Sequence, residues 1–373
     1  MKKKILFLIF SSKKNSGGGH FYSIKSISSG LKNIIEYKIL NLGAIYAKPL
    51  RDESNSFFLN LFKYNYFIKI FSVIKFVKQY NPDVLHAFDF KSLFIARSIS
   101  LIFKVRIIFT KCGGPNGSNF IPDADVHILF SKENYKHFQL HSSSKIPQYL
   151  IPNRVNKVEI DFKHEKKILN EFNLKNRFIL MRISRFNQYY DLTFQQSIEL
   201  LKIILKKESN AILVFIGKIQ SNDYFHRLRQ KTEGLPVLFI TDDVYTYEAS
   251  RLLNIADIVI STGRGVMEAC SLNKIIFCPV NNSKIPVILN ENSFESLSTM
   301  NFSERATLDE ETILKYNSEF LNSKAHTNTK YFFDNYFSIK AVSSLYEEIY
   351  YTKQRNNFRL WNFIGHAIRF FKP

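Results

Sequence analysis

The sequence predicts an α/β protein of two domains, each built around a doubly wound, mostly parallel β-sheet. Two observations lead to this prediction. Short apolar runs rich in β-branched residues alternate with amphipathic stretches along the chain, which is typical of repeated β-α-β units. The length of 373 residues exceeds that of one average domain and fits two.

Each element is predicted from its local pattern of apolar and polar residues. The strands of the first half are expected at Ile5–Phe10, Tyr37–Leu40, Val84–Ala87, Val105–Thr110 and Val126–Phe130. Those of the second half are expected at Phe178–Ile183, Ile212–Ile216, Val237–Ile240, Ile258–Ser261 and Ile275–Cys278. The helices between them include Gly19–Lys32, Phe57–Lys78 and Thr193–Lys206.

The domain boundary is expected near Pro152, which breaks regular structure and is followed by the turn-forming Asn153. We therefore assign residues 1–155 to a first Rossmann-like domain and residues 156–351 to a second. The C-terminal helix, residues 352–373, is expected to pack back on the first domain or to lie on a membrane. Two such domains facing each other across a hinge leave a cleft at the carboxyl ends of both sheets, where ligands bind in such folds.

The charge of the chain indicates polyanionic partners. Its 52 Lys and Arg residues outnumber 32 Asp and Glu residues, and the formal net charge is +20. Nucleotides, nucleic acids and anionic membrane surfaces are the candidates. The three cysteines form no Cys-x-x-Cys pair, so we expect a reducing, cytoplasmic setting. No spanning helix is predicted, and no histidine or aspartate spacing suggests a metal, so no cofactor is expected.

The segment from Ala256 to Val280 is the most informative motif. It predicts a buried strand, a glycine turn, a helix beginning near Val266 and another strand. Gly263 and Gly265 allow the backbone to approach a ligand closely. The N–H groups at the helix start, together with the Arg264 guanidinium, favour a phosphate. Glu268 lies in the first turn, where its carboxylate can accept hydrogen bonds from a ribose diol.

This segment resembles the nucleotide-binding motif of family 4 glycosyltransferases, which have the GT-B fold. The resemblance implies that Glu268 holds the donor ribose and that the backbone at Gly265–Met267 meets the diphosphate. The longer family motif has a glutamate where this chain has Ile260. The turn is similar to the shorter Gly-x-Gly-Arg variant of some capsule and O-antigen transferases.

Other positions fit the same resemblance. The family's Gly-Arg-(x)4-Lys clamp for the donor diphosphate corresponds to Arg185, with Tyr190 in the place of the lysine and Arg182 nearby. Gly217 matches a glycine that borders the nucleotide base. In the first half, an acceptor-side loop is expected from these residues: Gly17, Gly18, Gly19, His20 and Lys111.

His86 and Arg185 are the candidate catalytic residues. His86 ends a predicted strand and is therefore expected to point towards the cleft, although a hydrogen-bonded structural histidine is the alternative. The resemblance implies retaining transfer without a protein nucleophile. Catalysis then depends on Arg185, Arg264 and helix N–H groups that stabilise the departing diphosphate, and on positioning of the acceptor.

The expected function is transfer of a sugar, of the hexosyl type, from a nucleotide-sugar to a glycan or polyprenyl-diphosphate-linked acceptor in O-antigen, capsule or lipopolysaccharide synthesis. Two alternatives stay open: a sugar-nucleotide epimerase of the same fold, and a basic nucleic-acid-binding protein. The second is disfavoured because the basic residues are dispersed. The segments Phe57–Lys78 and Phe358–Lys372 resemble basic amphipathic helices, so peripheral contact with an anionic membrane is a further expectation.

Overall fold

The computed structural model describes residues 1–12, 17–61, 63–322, 328–353 and 359–371. The chain divides into two compact units. The first consists of Met1–Val155 and Ser338–Pro373, and the second of Asn156–Phe337. Each unit is built around one mostly parallel sheet, which confirms the predicted fold class of two Rossmann-like domains.

The first unit contains a parallel sheet in the order β3-β2-β1-β4-β5-β6-β7. Its strands are β1 (Lys3–Ser11), β2 (Ile35–Gly43), β3 (Ser56–Asn60), β4 (Val84–Ala87), β5 (Arg106–Lys111), β6 (Val126–Leu129) and β7 (Gln148–Leu150). Its helices are α1 (Gly19–Gly30), α2 (Tyr66–Tyr80), α3 (Phe90–Phe103), α4 (Lys132–His141), α13 (Ser343–Tyr351) and α14 (Leu360–Phe371). Helices cover both faces, since Phe7 and Leu8 of β1 belong to different cores.

The segment after Ser338 packs on the first unit. Residues 338–351, which we assigned from the sequence to the second domain, group with the first unit. The reason is packing, because Tyr346 and Tyr350 are buried beside β1 in its core. Ile339 lies directly against Gly30, because a Cβ atom added at Gly30 would be 2.5 Å from the Ile339 side chain.

Helix α14 covers α3 with one apolar face and exposes another. Phe370 stacks on Phe94 with ring centroids 4.5 Å apart, and Arg359 forms an ion pair with Asp123. On the outer face Trp361 is 83% exposed. The ends of the predicted tail helix, Phe358 and Lys372, lie outside the described residues. In the described parts of the chain, no helix has the length and apolarity required to cross a membrane.

The second unit has a six-stranded sheet in the order β10-β9-β8-β11-β12-β13, in which only β13 is antiparallel to its neighbour. The strands are β8 (Phe178–Ile183), β9 (Ala211–Ile216), β10 (Val237–Ile240), β11 (Ile258–Ile260), β12 (Ile275–Cys278) and β13 (Val287–Ile288). The helices are α5 (Phe162–Glu171), α6 (Asp191–Ile204), α7 (Asn222–Lys231), α8 (Asp243–Thr246), α9 (Arg264–Ser271), α10 (Glu291–Ser298), α11 (Glu310–Asn322) and α12 (Thr329–Phe332).

One predicted element is wrong. The helix expected over Phe57–Lys78 is the edge strand β3 followed by helix α2. The strand β3 is only partly buried, and its sequence Ser-Phe-Phe-Leu-Asn does not alternate between apolar and polar residues. Its apolar residues therefore look like a continuation of the apolar residues of α2. For this reason sequence periodicity gives no sign of the boundary.

Three histidines of the described chain are buried in the first unit: His86, His127 and His366. Nδ1 of His86 lies 2.9 Å from the Tyr350 hydroxyl and Nε2 lies 2.7 Å from the Thr110 hydroxyl. The prediction that His86 points into a ligand cleft is therefore wrong, because both ring nitrogens have partners inside a closed core. Burial lowers the pKa of His86 and His127 to about 3 and that of His366 to about 4.

These histidines predict a loss of stability in mild acid. The unfolded chain binds protons at the ordinary histidine pKa of about 6.5 and the folded chain does not, so stability is full above about pH 6.5 and falls as the pH drops towards 3. We expect each buried histidine to contribute a loss of about 2 kcal/mol at about pH 5. Chemical denaturation at about pH 7.5 and about pH 5 measures the loss.

His366→Gln removes one of the titrating groups and keeps an N–H donor for the Phe90 carbonyl oxygen. We expect this variant to lose less stability in acid than the parent. His141→Gln, at an exposed position of α4, serves as the control and should behave like the parent. An equal acid loss in all three proteins would contradict the assignment.

Candidate functional site

The glycine turn of the second unit joins β11 to α9. Gly263 is the N-cap of α9 and has a φ of 53° and a ψ of −126°, a conformation that favours glycine. Its N–H donates to the Phe302 carbonyl oxygen at 2.9 Å, which ties the turn to a neighbouring loop. The helix begins at Arg264, two residues before the predicted start at Val266.

Gly265 and Val266 shape the first turn of α9. A Cβ atom at Gly265 would lie 2.2 Å from the Ser261 hydroxyl, so glycine lets the helix start lie directly against the strand end. The Val266 side chain is fully buried. Its N–H donates to the Gly263 carbonyl oxygen at 3.2 Å. The Val266 side chain is therefore too deeply buried to contact a ligand.

Arg264 and Glu268 form an ion pair one helical turn apart. Nε of Arg264 lies 2.7 Å from Oε1 of Glu268, and the two side chains are 16% and 17% exposed. The residues that we assigned from the sequence to phosphate and ribose are thus in direct contact. The pair holds the Glu268 carboxylate in a fixed position beside the glycine turn.

Arg182 is a buried cation at the carboxyl end of β8. Its guanidinium donates to the Ile260 carbonyl oxygen at 3.4 Å and to the hydroxyls of Thr193 and Thr262 at 3.2 and 3.4 Å. All three acceptors are neutral, and Nε has no hydrogen-bond partner in the described chain. Burial lowers the pKa of Arg182 to about 10, although the charge of Glu304 counteracts this effect. The group therefore stays protonated near pH 7.

Arg185 lies in the loop that follows β8 and is exposed. Its guanidinium contacts Tyr190 twice, through a hydrogen bond to the hydroxyl and over the ring, with 5.5 Å to the centroid. Tyr190, which replaces the lysine of the resembled motif, therefore positions Arg185 without adding a charge.

Gly217 permits a close approach of two strand ends. A Cβ atom at this position would lie 1.7 Å from the Ser184 carbonyl oxygen. The Gly217 N–H in turn donates to the Ile240 carbonyl oxygen at 3.0 Å. Packing alone therefore requires glycine here, whatever ligand lies beyond it.

The glycine loop of the first unit differs from these turns. Gly18 is the N-cap of α1, and Gly19 is the first residue of that helix. Within the described parts of the chain, a Cβ atom added at Gly17 or Gly19 would have no heavy atom within 4 Å, and Gly19 has no positive φ. Packing against the described residues therefore requires glycine at neither position. His20 is half-buried and lies against the Phe21 ring, with centroids 4.1 Å apart.

Lys111 is the last residue of β5. Its ammonium donates to the Gly113 carbonyl oxygen of the following loop, so the side chain lies along this loop. Gly113 and Gly114 both have positive φ values, 81° and 75°, which allow the loop to turn sharply after the strand.

The structure brings together part of the predicted set. Arg182 reaches Thr262, directly before Gly263, and Arg264 pairs with Glu268 behind the same turn. Thr193 and Thr262, which hold the Arg182 guanidinium, were not predicted from the sequence. Thr262 lies inside the glycine motif, so the motif could have predicted its place at the site. Nothing in the sequence distinguishes Thr193 from other helical residues.

Comparisons with known proteins identify the fold. Scans against family models and curated proteins found no match. Among solved structures, the chain is similar to Anabaena HepE in complex with UDP (TM-score 0.65, 16% identity, 94% of this chain and 99% of that one). It is also similar to a glycosyltransferase from Rickettsia africae (0.64, 15%, 94% and 98%). A third match is the UDP-GlcNAc 2-epimerase of Methanocaldococcus jannaschii (0.60, 11%, 94% and 100%). The fold is that of GT-B glycosyltransferases.

An added side chain is expected to destabilise the protein at the tightly packed Gly217 and to have little effect at the open Gly19. Gly217→Ala forces the Ser184 carbonyl to move, and we expect it to lower the free energy of unfolding by about 1–3 kcal/mol. Gly19→Ala has open space, and we expect a change within about 0.5 kcal/mol. Chemical denaturation of both variants provides the measurement. Equal effects at the two positions would contradict the packing argument.

Proposed function

We propose that this protein is a nucleotide-sugar-dependent glycosyltransferase whose second unit binds the donor. The proposal includes the retaining, family 4 type of reaction and hexosyl transfer. The donor diphosphate would lie at the Gly263 turn, held by Arg182, Arg185 and Arg264. The ribose would contact Glu268, and the base would lie beyond Gly217.

The buried Arg182 guanidinium is the observation that supports this proposal most strongly. Desolvation of a cation costs on the order of several kcal/mol unless an opposite charge compensates for it. In the described chain Arg182 has only neutral hydrogen-bond acceptors. It lies at the carboxyl ends of parallel strands, where α/β sheets bind ligands. The Glu304 carboxylate offsets this cost only in part, and a diphosphate would supply further negative charge.

The chemistry follows from this placement. As the bond between the anomeric carbon and the diphosphate oxygen breaks, negative charge increases on the leaving group. Arg182 and Arg185 would stabilise that charge in positions set by Thr262 and Tyr190 before the reaction begins. His86 takes no part, since it is enclosed in the core of the first unit. The mechanism proposed here uses no metal.

The acceptor side of the proposal concerns the first unit. We propose that the Gly17–His20 loop and Lys111 contact a glycan or polyprenyl-diphosphate-linked acceptor in surface-polysaccharide synthesis. The protein would act in the cytoplasm, with peripheral contact to the anionic inner face of the plasma membrane. The net charge of +20 supports contact with an anionic membrane. The proposal includes no binding of nucleic acid.

Arg182→Met tests the donor site directly. The variant removes the hydrogen bonds to Ile260, Thr193 and Thr262 together with the desolvation cost of the cation, so we expect the free energy of unfolding to fall by about 1–3 kcal/mol. Binding of UDP and UDP-glucose should weaken by at least about tenfold, because hydrogen bonds to charged groups contribute about 1.5–3 kcal/mol. Binding of uridine, which has no phosphate, should stay unchanged. Calorimetric titration measures all three ligands.

Arg177→Met is the matched control. Arg177 precedes the opposite, amino end of β8 and donates to the carbonyl oxygens of Asn210 and Ala211. We expect the Arg177→Met variant to bind UDP with the affinity of the parent. A large loss of stability in Arg182→Met with unaltered UDP affinity would assign the guanidinium to packing and overturn the proposal.

A sugar-nucleotide epimerase is the second candidate, because the chain is also similar to an epimerase of this fold. Incubation with a panel of UDP-, GDP-, ADP- and CMP-sugars separates the two activities. We expect slow release of the nucleotide from one of them and no epimer of the sugar by proton NMR. Appearance of the 2-epimer without nucleotide release would favour the epimerase.

A further inference from the structure

A cavity of about 250 Å³ lies inside the first unit, at the carboxyl edge of its sheet. It opens beyond the ends of β4 and β5, near Phe90 and Lys111, and one wall is formed by α14. The remaining walls come from the loop before β6 and from α4. Every lining residue belongs to the first unit, and none of them belongs to the Gly263 turn.

The interior of this cavity is largely apolar. Phe90, Phe120, Ile121, Pro122 and Phe138 contribute their side chains to the lining. The two lining histidines use a ring nitrogen within the protein. Nε2 of His366 lies 2.7 Å from the Phe90 carbonyl oxygen, and Nε2 of His137 lies 2.9 Å from the Ser118 carbonyl oxygen. The cavity therefore matches an apolar group.

Two cations also line the cavity, and none of its described lining residues is acidic. Arg369 donates to the Ser118 hydroxyl at 2.6 Å and lies over the Phe120 ring, 4.3 Å from the centroid. Lys111 donates to the Gly113 carbonyl oxygen. Both of these partners of Arg369 are uncharged, and no described lining residue supplies a counter-charge for its guanidinium.

Helix α14 also carries exposed apolar side chains. The same helix that contributes His366 and Arg369 exposes Leu360, Trp361 and Ile368 on its outer face, at 57%, 83% and 64%. The cavity volume is below the ~300–1,000 Å³ of pockets that enclose a drug-sized ligand. The volume therefore fits one segment of a longer apolar molecule.

We propose that this cavity binds the apolar segment of a single-chain amphiphile whose anionic group lies at Lys111 and Arg369. A prenyl phosphate and a fatty acid share this chemistry. The site shares Lys111 with the acceptor side of the proposed function and rests on that proposal in this respect, whereas UDP binding by the second unit is measured separately.

A chain-length series on the full-length protein tests the proposal. The probes are inorganic phosphate, dimethylallyl phosphate, geranyl phosphate, farnesyl phosphate and decanoate. We expect affinity to rise by up to about fourfold for each carbon that enters the cavity, then to level off. Tighter binding of geranyl phosphate than of decanoate would identify a phosphate head, and the reverse a carboxylate. Equal affinity for inorganic and geranyl phosphate, or no binding of any probe, would overturn the proposal.

Two variants test the assigned residues. Arg369→Met should weaken geranyl phosphate binding by at least about tenfold, and Phe90→Ala should reduce the gain between dimethylallyl and geranyl phosphate. Lys78→Met, at an exposed position of α2, is the control and should bind like the parent. UDP affinity in the same variants reports separately on the second unit. Unaltered binding in both variants would overturn the site, whatever the outcome for UDP.

Discussion

Neighbouring strands come into unusually close contact at the carboxyl edge of each sheet, and the positions of the functional loops depend on this contact. A Cβ atom at Gly43 would lie 2.0 Å from the Ser11 carbonyl oxygen, and one at Gly217 would lie 1.7 Å from that of Ser184. In both units the end of the first strand therefore lies against the end of its neighbour. Because helices bury both faces of a parallel sheet, polar groups can reach solvent from the core chiefly at such strand ends.

This constraint explains why Arg182 is both buried and close to a loop. A side chain near the carboxyl end of β8 lies between the sheet and the Gly263 turn, where Thr193 and Thr262 orient its guanidinium without neutralising it. A carboxylate in the place of these hydroxyls would form an ion pair with Arg182, and the guanidinium would then gain less from binding an anionic ligand. Neutral acceptors hold the geometry and leave the charge available, which is the arrangement that recognition of an anion requires.

Much of the fold could be predicted from the sequence, because fully buried parallel strands are continuous apolar runs. The runs at Val84–Ala87, Phe178–Ile183, Val237–Ile240 and Ile275–Cys278 have the bounds observed. Three of the four edge strands were missed: β3 merged with the helical pattern, and β7 and β13 are too short to show a period. The return of residues 338–351 to the first unit depends on long-range packing against Gly30, which no local pattern encodes.

The sequence was less informative about the candidate site, because residue type does not determine what a side chain contacts. His86 ends a strand as predicted, yet its neighbours Thr110 and Tyr350 are distant in sequence and enclose it. Arg264 and Glu268 were assigned to separate groups of a ligand, but their spacing of one helical turn also lets them pair. Glycine spacing was similarly ambiguous: Gly217 is required by packing, whereas Gly17 and Gly19 have open space around them. Close approach of a ligand is one physical reason for a glycine that the described packing does not require, and this reason applies to the first unit's loop more directly than to Gly217.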